Sequence, residues 1–189
     1  MCGLCEQEDF AGAPGLVRGE AQRMQLLLVR HAHAVDLGEA GAQNDADRPL
    51  SERGRQQADE LAWYLESRSI RADAVLSSPL ARARQTAEPL LQVSTCPTIQ
   101  FSDYLAPGAL RPKKLSKAVE ELGRELVILV GHMPEISQYA GWLLAVDPSV
   151  LPFAKGAAAL IRFPEAIDPG NGWLEWLIRP SCYLRPERE

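Results

Sequence analysis

LLLVRHAHAV, residues 26–35, runs four apolar side chains straight into an arginine and two histidines spaced two apart. An unbroken apolar run of strand length fits a strand buried on both faces of a sheet, because a half-exposed strand would alternate. Its end has three readings. His31 and His33 could form a metal-binding pair, one could be catalytic with the other a bystander, or both could simply close a strand.

Similar runs recur along the chain. ADAVLSS (72–78), ELVILVGH (125–132), GAAALIRF (156–163) and WLEWLIR (173–179) read as further strands. Between them lie helical patterns. Ser51 is placed to cap a helix with Ala58, Leu61, Ala62 and Leu65 on one face. Pro79 suits the first turn of the next, and Pro89 disturbs its end. Leu115, Ala118, Val119 and Leu122 face one way on a third helix. Pro134 opens a fourth, with Ile136, Tyr139, Ala140, Leu143 and Leu144 facing inward. Residues 36–49 and 94–112 read as loops. Strands alternating with helices predict an α/β protein, a three-layer α/β/α sandwich with a mostly parallel central sheet.

The chain has 189 residues and 46% hydrophobic side chains, enough for one domain with a sizeable core. Residues 1–23 read as a flexible N-terminal extension and 24–189 as the domain. A net charge of −5 argues against a general nucleic-acid binder. The sequence shows neither a signal-peptide run nor a membrane-length apolar segment, so a cytoplasmic protein without a membrane partner is expected. Cys2-x-x-Cys5 lacks a second pair or a nearby histidine, and is read as part of the leader.

Ligands of open α/β sheets collect beyond the carboxyl ends of the strands. There the sequence sets Arg30 and His31, then Ser77, Ser78 and Arg82, then Gly131 and His132; Arg48 follows in the first loop. Guanidinium forks match phosphate oxygens and remain charged. A histidine supplies a nucleophile or proton donor near neutral pH. This is equipment for holding and attacking a phosphoryl group.

LLLVRHAHA, LSSPLARARQTAEPL and LVILVGHMPEIS, in that order, resemble the three signature stretches of the histidine phosphatase (phosphoglycerate mutase-like) superfamily. DRPLSERGRQQA, LAPG at 105–108 and the tail EWLIRPSCYL are most similar to its short SixA-type phosphohistidine phosphatases. The resemblance implies the phosphoglycerate mutase-like fold, His31 as a transiently phosphorylated nucleophile, Arg30 and Arg82 as a phosphoryl clamp, and His132 on the same group. It suggests Arg48 as a further phosphate-site arginine. Ala32 stands where the family's RHG has glycine; a negative φ there would make alanine nearly free of strain.

The mechanism implied is in-line attack by neutral His31, then hydrolysis of the phosphohistidine, with arginines carrying the charge and neither metal nor cofactor required. Alcohol leaving groups need an acid. Asp36, Glu39, Asp103 and Glu135 are the candidates, but none stands in a motif and each reads as a solvated surface acid. That favours an imidazole leaving group, hence a phosphohistidine protein, such as a phosphotransfer domain, as substrate and partner. A small-molecule phosphomonoesterase and a catalytically silent phosphoprotein-binding module are the alternatives; the nucleophile argues against the latter.

The remaining residues have plainer readings. A metal-binding H-x-H would belong to a barrel of about 250 residues with more ligands, whereas this chain has 3 histidines in all; His33 is expected at the pocket rim. Arg84 should face solvent, and Thr86 should brace Arg82 or pack. Ser77 and Ser78 lack a nucleophile elbow, and Ser78 is expected to touch substrate or to cap the helix that follows. Cys96 and Cys182 read as structural thiols, and Trp63, Trp142, Trp173 and Trp176 as core.

Overall fold

The computed structural model describes residues 24–184. The expected leader and Cys2-x-x-Cys5 lie outside them. The elements are β1 (Gln25–Arg30), α1 (Glu52–Ser67), β2 (Ala74–Ser77), α2 (Ala81–Ala87), β3 (Ile99–Phe101), α3 (Pro112–Glu120), β4 (Leu126–Gly131), α4 (Glu135–Leu144), β5 (Ala158–Arg162) and β6 (Trp173–Ile178). They form the expected α/β fold around a six-stranded sheet of order β3-β2-β4-β1-β5-β6. β3, β2, β4 and β1 are parallel; β5 and β6 continue the sheet antiparallel.

Strand parity explains the unbroken apolar runs. Leu26 and Leu28 pack with Leu115 and Val119 of α3 and Ile136, Tyr139 and Leu143 of α4. Leu27 and Val29 point the other way, to Leu61 and Leu65 of α1 and Ala83 and Ala87 of α2. Successive side chains on a strand face opposite sides, so a strand between two helical layers must be apolar at every position. The helices end where the sequence suggests. Ser51 caps α1, its side chain accepting from the Gly54 N–H. α2 stops at Ala87, and a 3-10 turn, Pro89–Val93, takes over. No helix of the described residues is long and apolar enough to cross a membrane.

Three expectations need correction. β3 lies within the stretch read as loop; it is three residues long, on the sheet edge, with Gln100 and Phe101 exposed, so it leaves no apolar run. Trp173 is 61% exposed on edge strand β6, stacked on the Arg162 guanidinium, and Trp63 is 45% exposed on α1; neither is core. Cys182 is exposed on a 3-10 turn.

Candidate active site

Sheet register brings the site together. Arg30 lies opposite Gly131 and Ser77 opposite Val130, so β1, β4 and β2 end level. The pairing runs past them: His31 N–H donates to the Gly131 carbonyl at 2.9 Å and Ser78 N–H to the Val130 carbonyl at 2.9 Å. The result is that the His31 and His132 rings stand 4.9 Å apart, centroid to centroid. Arg82 reaches them from the first turn of α2.

His31 is buried, and its Nδ1 lies 2.8 Å from the Ala32 carbonyl. A carbonyl only accepts, so Nδ1 carries the proton and Nε2 keeps its lone pair. Burial above all, then the neighbouring His132, Arg82 and Arg30, hold the His31 pKa down at about 3. The ring is therefore neutral at working pH, with a free nitrogen nucleophile. Ala32 has no positive φ and packs with Leu50 and Ala58, so alanine sits here without backbone strain. Its N–H donates to Thr86 Oγ1 at 3.0 Å, and that hydroxyl donates to the Arg82 carbonyl at 2.7 Å. Thr86 thus braces the end of β1 against the turn that carries Arg82.

His132 is buried too, its pKa lowered to about 4 by burial first and then by Arg82. Its Nε2 lies 2.9 Å from Ser78 Oγ. That hydroxyl also accepts the Leu80 N–H at 3.3 Å. His132 Nδ1 is buried and has no hydrogen-bond partner. Arg30 Nε is a buried donor without one, although Arg30 Nη1 is bound to the Phe153 carbonyl at 2.7 Å. Unpaired buried polar groups are costly, and a bound anion could satisfy the Arg30 donor. Ser78 is not a helix cap: α2 begins after Leu80, which makes no side-chain cap.

Arg48 donates from Nε to the Val35 carbonyl at 2.8 Å and from Nη1 to Asp45 Oδ1 at 2.9 Å. The other oxygen of Asp45 takes Arg82 Nη2 at 2.9 Å, while the Asp45 carbonyl takes Arg82 Nη1 at 2.6 Å. One carboxylate thereby joins two guanidiniums that would otherwise repel each other. Slight burial raises the Asp45 pKa, but the hydrogen bonds from Arg48 and Arg82 outweigh it and leave a net lowering. Asp45 is accordingly a poor proton donor. The sequence reading misses it; the only signal is an acid three residues before Arg48.

The other expectations divide. Asp36, Glu39, Asp103 and Arg84 are exposed as expected. Glu135 is not a solvated acid: it is buried at the start of α4, with Oε1 accepting the Gly108 N–H at 2.6 Å. His33 turns away from His31, its Nδ1 2.9 Å from Ser51 Oγ at the start of α1, so the pair does not converge on one ion. Among the described residues, no group of three or more His, Cys, Asp or Glu side chains is placed to hold a metal. A cavity of about 270 Å³ lies beside the site, lined by Met133, Pro152, Phe153, Ala154 and Arg179.

A sheet that delivers histidines and arginines from three parallel strand ends defines a class of phosphoryl-handling protein, and the comparisons agree. Residues 26–105 match the histidine phosphatase superfamily (branch 1), and the chain belongs to that superfamily. It is 28% identical over 172 residues to the phosphohistidine phosphatase SixA of Escherichia coli strain K12, covering 86% of this chain and 97% of that one. A structure of the protein histidine phosphatase SixA complexed with tungstate shares the fold at a TM-score of 0.73 and 26% identity, over 84% of this chain and 99% of that one. The fold also extends to a phosphoserine phosphatase of Entamoeba histolytica solved with phosphoserine, at a TM-score of 0.62 and 17% identity, over 84% and 98% of the two chains.

Proposed function

We propose that this protein is a metal-independent phosphohistidine phosphatase that removes the phosphoryl group from a histidine on another protein. The observation that carries this reading is the neutral His31, its Nδ1 proton held by the Ala32 carbonyl and its Nε2 free, beside two buried nitrogens with no protein partner, Arg30 Nε and His132 Nδ1. His31 Nε2 attacks phosphorus in line and the P–N bond to the substrate imidazole breaks. Arg30, Arg82 and His132 take the equatorial oxygens, whose charge spreads in the transition state. Water then cleaves the P–N bond on His31 and restores the enzyme. Arg48 supports the clamp through Asp45, and Ser78 orients His132. Similarity to SixA along most of both chains supports the substrate class.

Asp45, tied to two guanidiniums, does not serve as an acid for an alkoxide. An imidazole departs with less help, which again suits phosphohistidine. The fold shared with a phosphoserine phosphatase keeps a small-molecule phosphomonoesterase as the second reading.

The test is a substrate panel with chemical trapping. A histidine-phosphorylated carrier protein, p-nitrophenyl phosphate and sugar phosphates are each turned over with and without chelator. The phosphoenzyme is quenched at alkaline pH and mapped by mass spectrometry. Phosphate on His31, chelator-insensitive turnover and preference for the carrier protein are expected. Turnover confined to small esters would reject the substrate class, and label elsewhere than His31 would reject the mechanism.

A further inference from the structure

Around the phosphoryl site the chain gathers cations that the mechanism leaves unused. Residues 153–156 wrap the end of β1: the Gly156 N–H donates to the Arg30 and His31 carbonyls, both at 3.2 Å, and the Phe153 carbonyl holds Arg30. This sets Lys155 beside the mouth of the site. Arg53 comes from the other side, on the first turn of α1. That turn docks on the strand end through the Ser51 N–H, 3.0 Å from the His33 carbonyl, and so closely that a Cβ on Gly54 would overlap it. The fields overlap: after burial, Arg30, Arg48 and Arg53 lower the Lys155 pKa and Lys155, Arg53 and Arg48 that of His33, while Asp36 acts the other way on both.

The neighbouring acids are committed or remote. Asp45 is shared by Arg48 and Arg82, and Asp36, 89% exposed, stands 3.6 Å from Arg48. Neither Lys155 nor Arg53 has a hydrogen-bond or ion-pair partner among the described residues. In a chain of net charge −5, this local positive excess is a placed feature. A phosphoryl group brings a charge of about −2 at most, and the clamp of half-buried Arg30 and buried Arg82 already meets it. Lys155 stands on a loop and Arg53 on the first turn of α1, both near the surface, spread to meet an acidic protein surface rather than folded round one small anion.

We infer that Lys155, together with Arg53, forms a specificity rim that engages carboxylates flanking the phosphohistidine on the substrate protein. The inference rests on the proposed phosphohistidine reading and adds the chemistry of the substrate's surroundings. Exposed pairs of this kind contribute more to selection and encounter rate than to affinity.

Two synthetic phosphohistidine peptides of equal length test it, one with Asp and Glu on both sides of the phosphohistidine and one with Ser and Gln. The readout is the ratio of their kcat/KM values, which a general loss of folded enzyme does not move. Wild type should prefer the acidic peptide, and added salt should compress the preference. Lys155→Met should lower the ratio about fivefold, the worth of one exposed ion pair, Arg53→Met should lower it less, and Lys155→Glu should invert it. Equal rates for the two peptides, or a ratio unmoved by both Lys155 variants, would overturn the rim. Lys155 dependence seen with a small bisphosphate but not with the acidic peptide would overturn the assignment of carboxylates. His31→Ala run alongside separates the two levels: if it still cleaves both peptides the underlying reading fails, and if it is inert while wild type shows no acidic preference only the rim fails.

Discussion

His31, Ser78, Arg82 and His132 are 8%, 0%, 6% and 2% exposed, and each is fixed by hydrogen bonds to a strand end or to the first turn of α2. One loop away, Asp45, Arg53 and Lys155 sit in or near solvent on loops and a helix start. The backbone of the inner group is held by sheet pairing and close packing, while the Arg82 guanidinium is tied to Asp45. Of the rim, Asp45 is held by its ion pairs with Arg48 and Arg82, which water and salt weaken, and Lys155 and Arg53 have no such partner among the described residues. Under the proposed function, chemistry that depends on distance falls to the first region, and under the inferred rim, selection between partners falls to the second.

The comparison can be broken at its strongest point first. His31→Ala should reduce kcat by about 10⁴-fold or more, since nothing else in the clamp replaces a nucleophile. Steady-state hydrolysis of p-nitrophenyl phosphate measures this, and activity near wild type would end the distinction. Next, Arg82→Lys keeps the charge but loses the planar fork, with an expected loss of about 10²-fold in kcat/KM. Ser78→Ala removes the hydrogen-bond partner of His132 Nε2 and frees that ring to turn. About tenfold in kcat is expected, with KM little changed; a pure stability loss with normal kcat would return Ser78 to a packing role.

Asp45→Asn probes the rim. It should cost about fivefold in kcat/KM, the scale of a partly exposed charge pair, and the cost should shrink at high salt. A loss as large as that of Arg82→Lys would move Asp45 into the inner group. Tighter vanadate binding with undiminished turnover would show that its carboxylate competes with the phosphoryl group.

A separate effect is on stability. The pKa values of His31 and His132 are lowered from 6.5 to about 3 and about 4, so the unfolded chain binds more protons between those limits. Their contribution to stability is complete above pH 6.5 and drains as pH falls through that value towards 4. Urea midpoints measured across that range should fall with pH, and less steeply in His132→Gln. For the same reason kcat/KM should show no acid limb near 6.5 from His31.

How far the sequence can be read follows from the same contrast. β1 and β4 are visible because both faces of each are buried, which forces apolar residues at every position. Arg30, His31, Arg82 and His132 follow because they stand next to those runs. β3 is invisible since an exposed three-residue edge strand needs no apolar pattern. Trp173 misleads because its ring is kept by a guanidinium on the outer face of an edge strand. Glu135 misleads because its burial depends on the Gly108 N–H, 27 residues away.

By itself the sequence determines the layered fold and the residues at the strand ends, because burial and periodicity are local properties written into each segment. Only the tertiary structure decides the tautomer of His31, the pairing of Ser78 with His132, the bridge of Asp45 between two arginines and the place of Lys155 at the mouth. Each of these depends on atoms brought together across loops, and a loop's path is set by the packing of the elements it joins rather than by a pattern of its own.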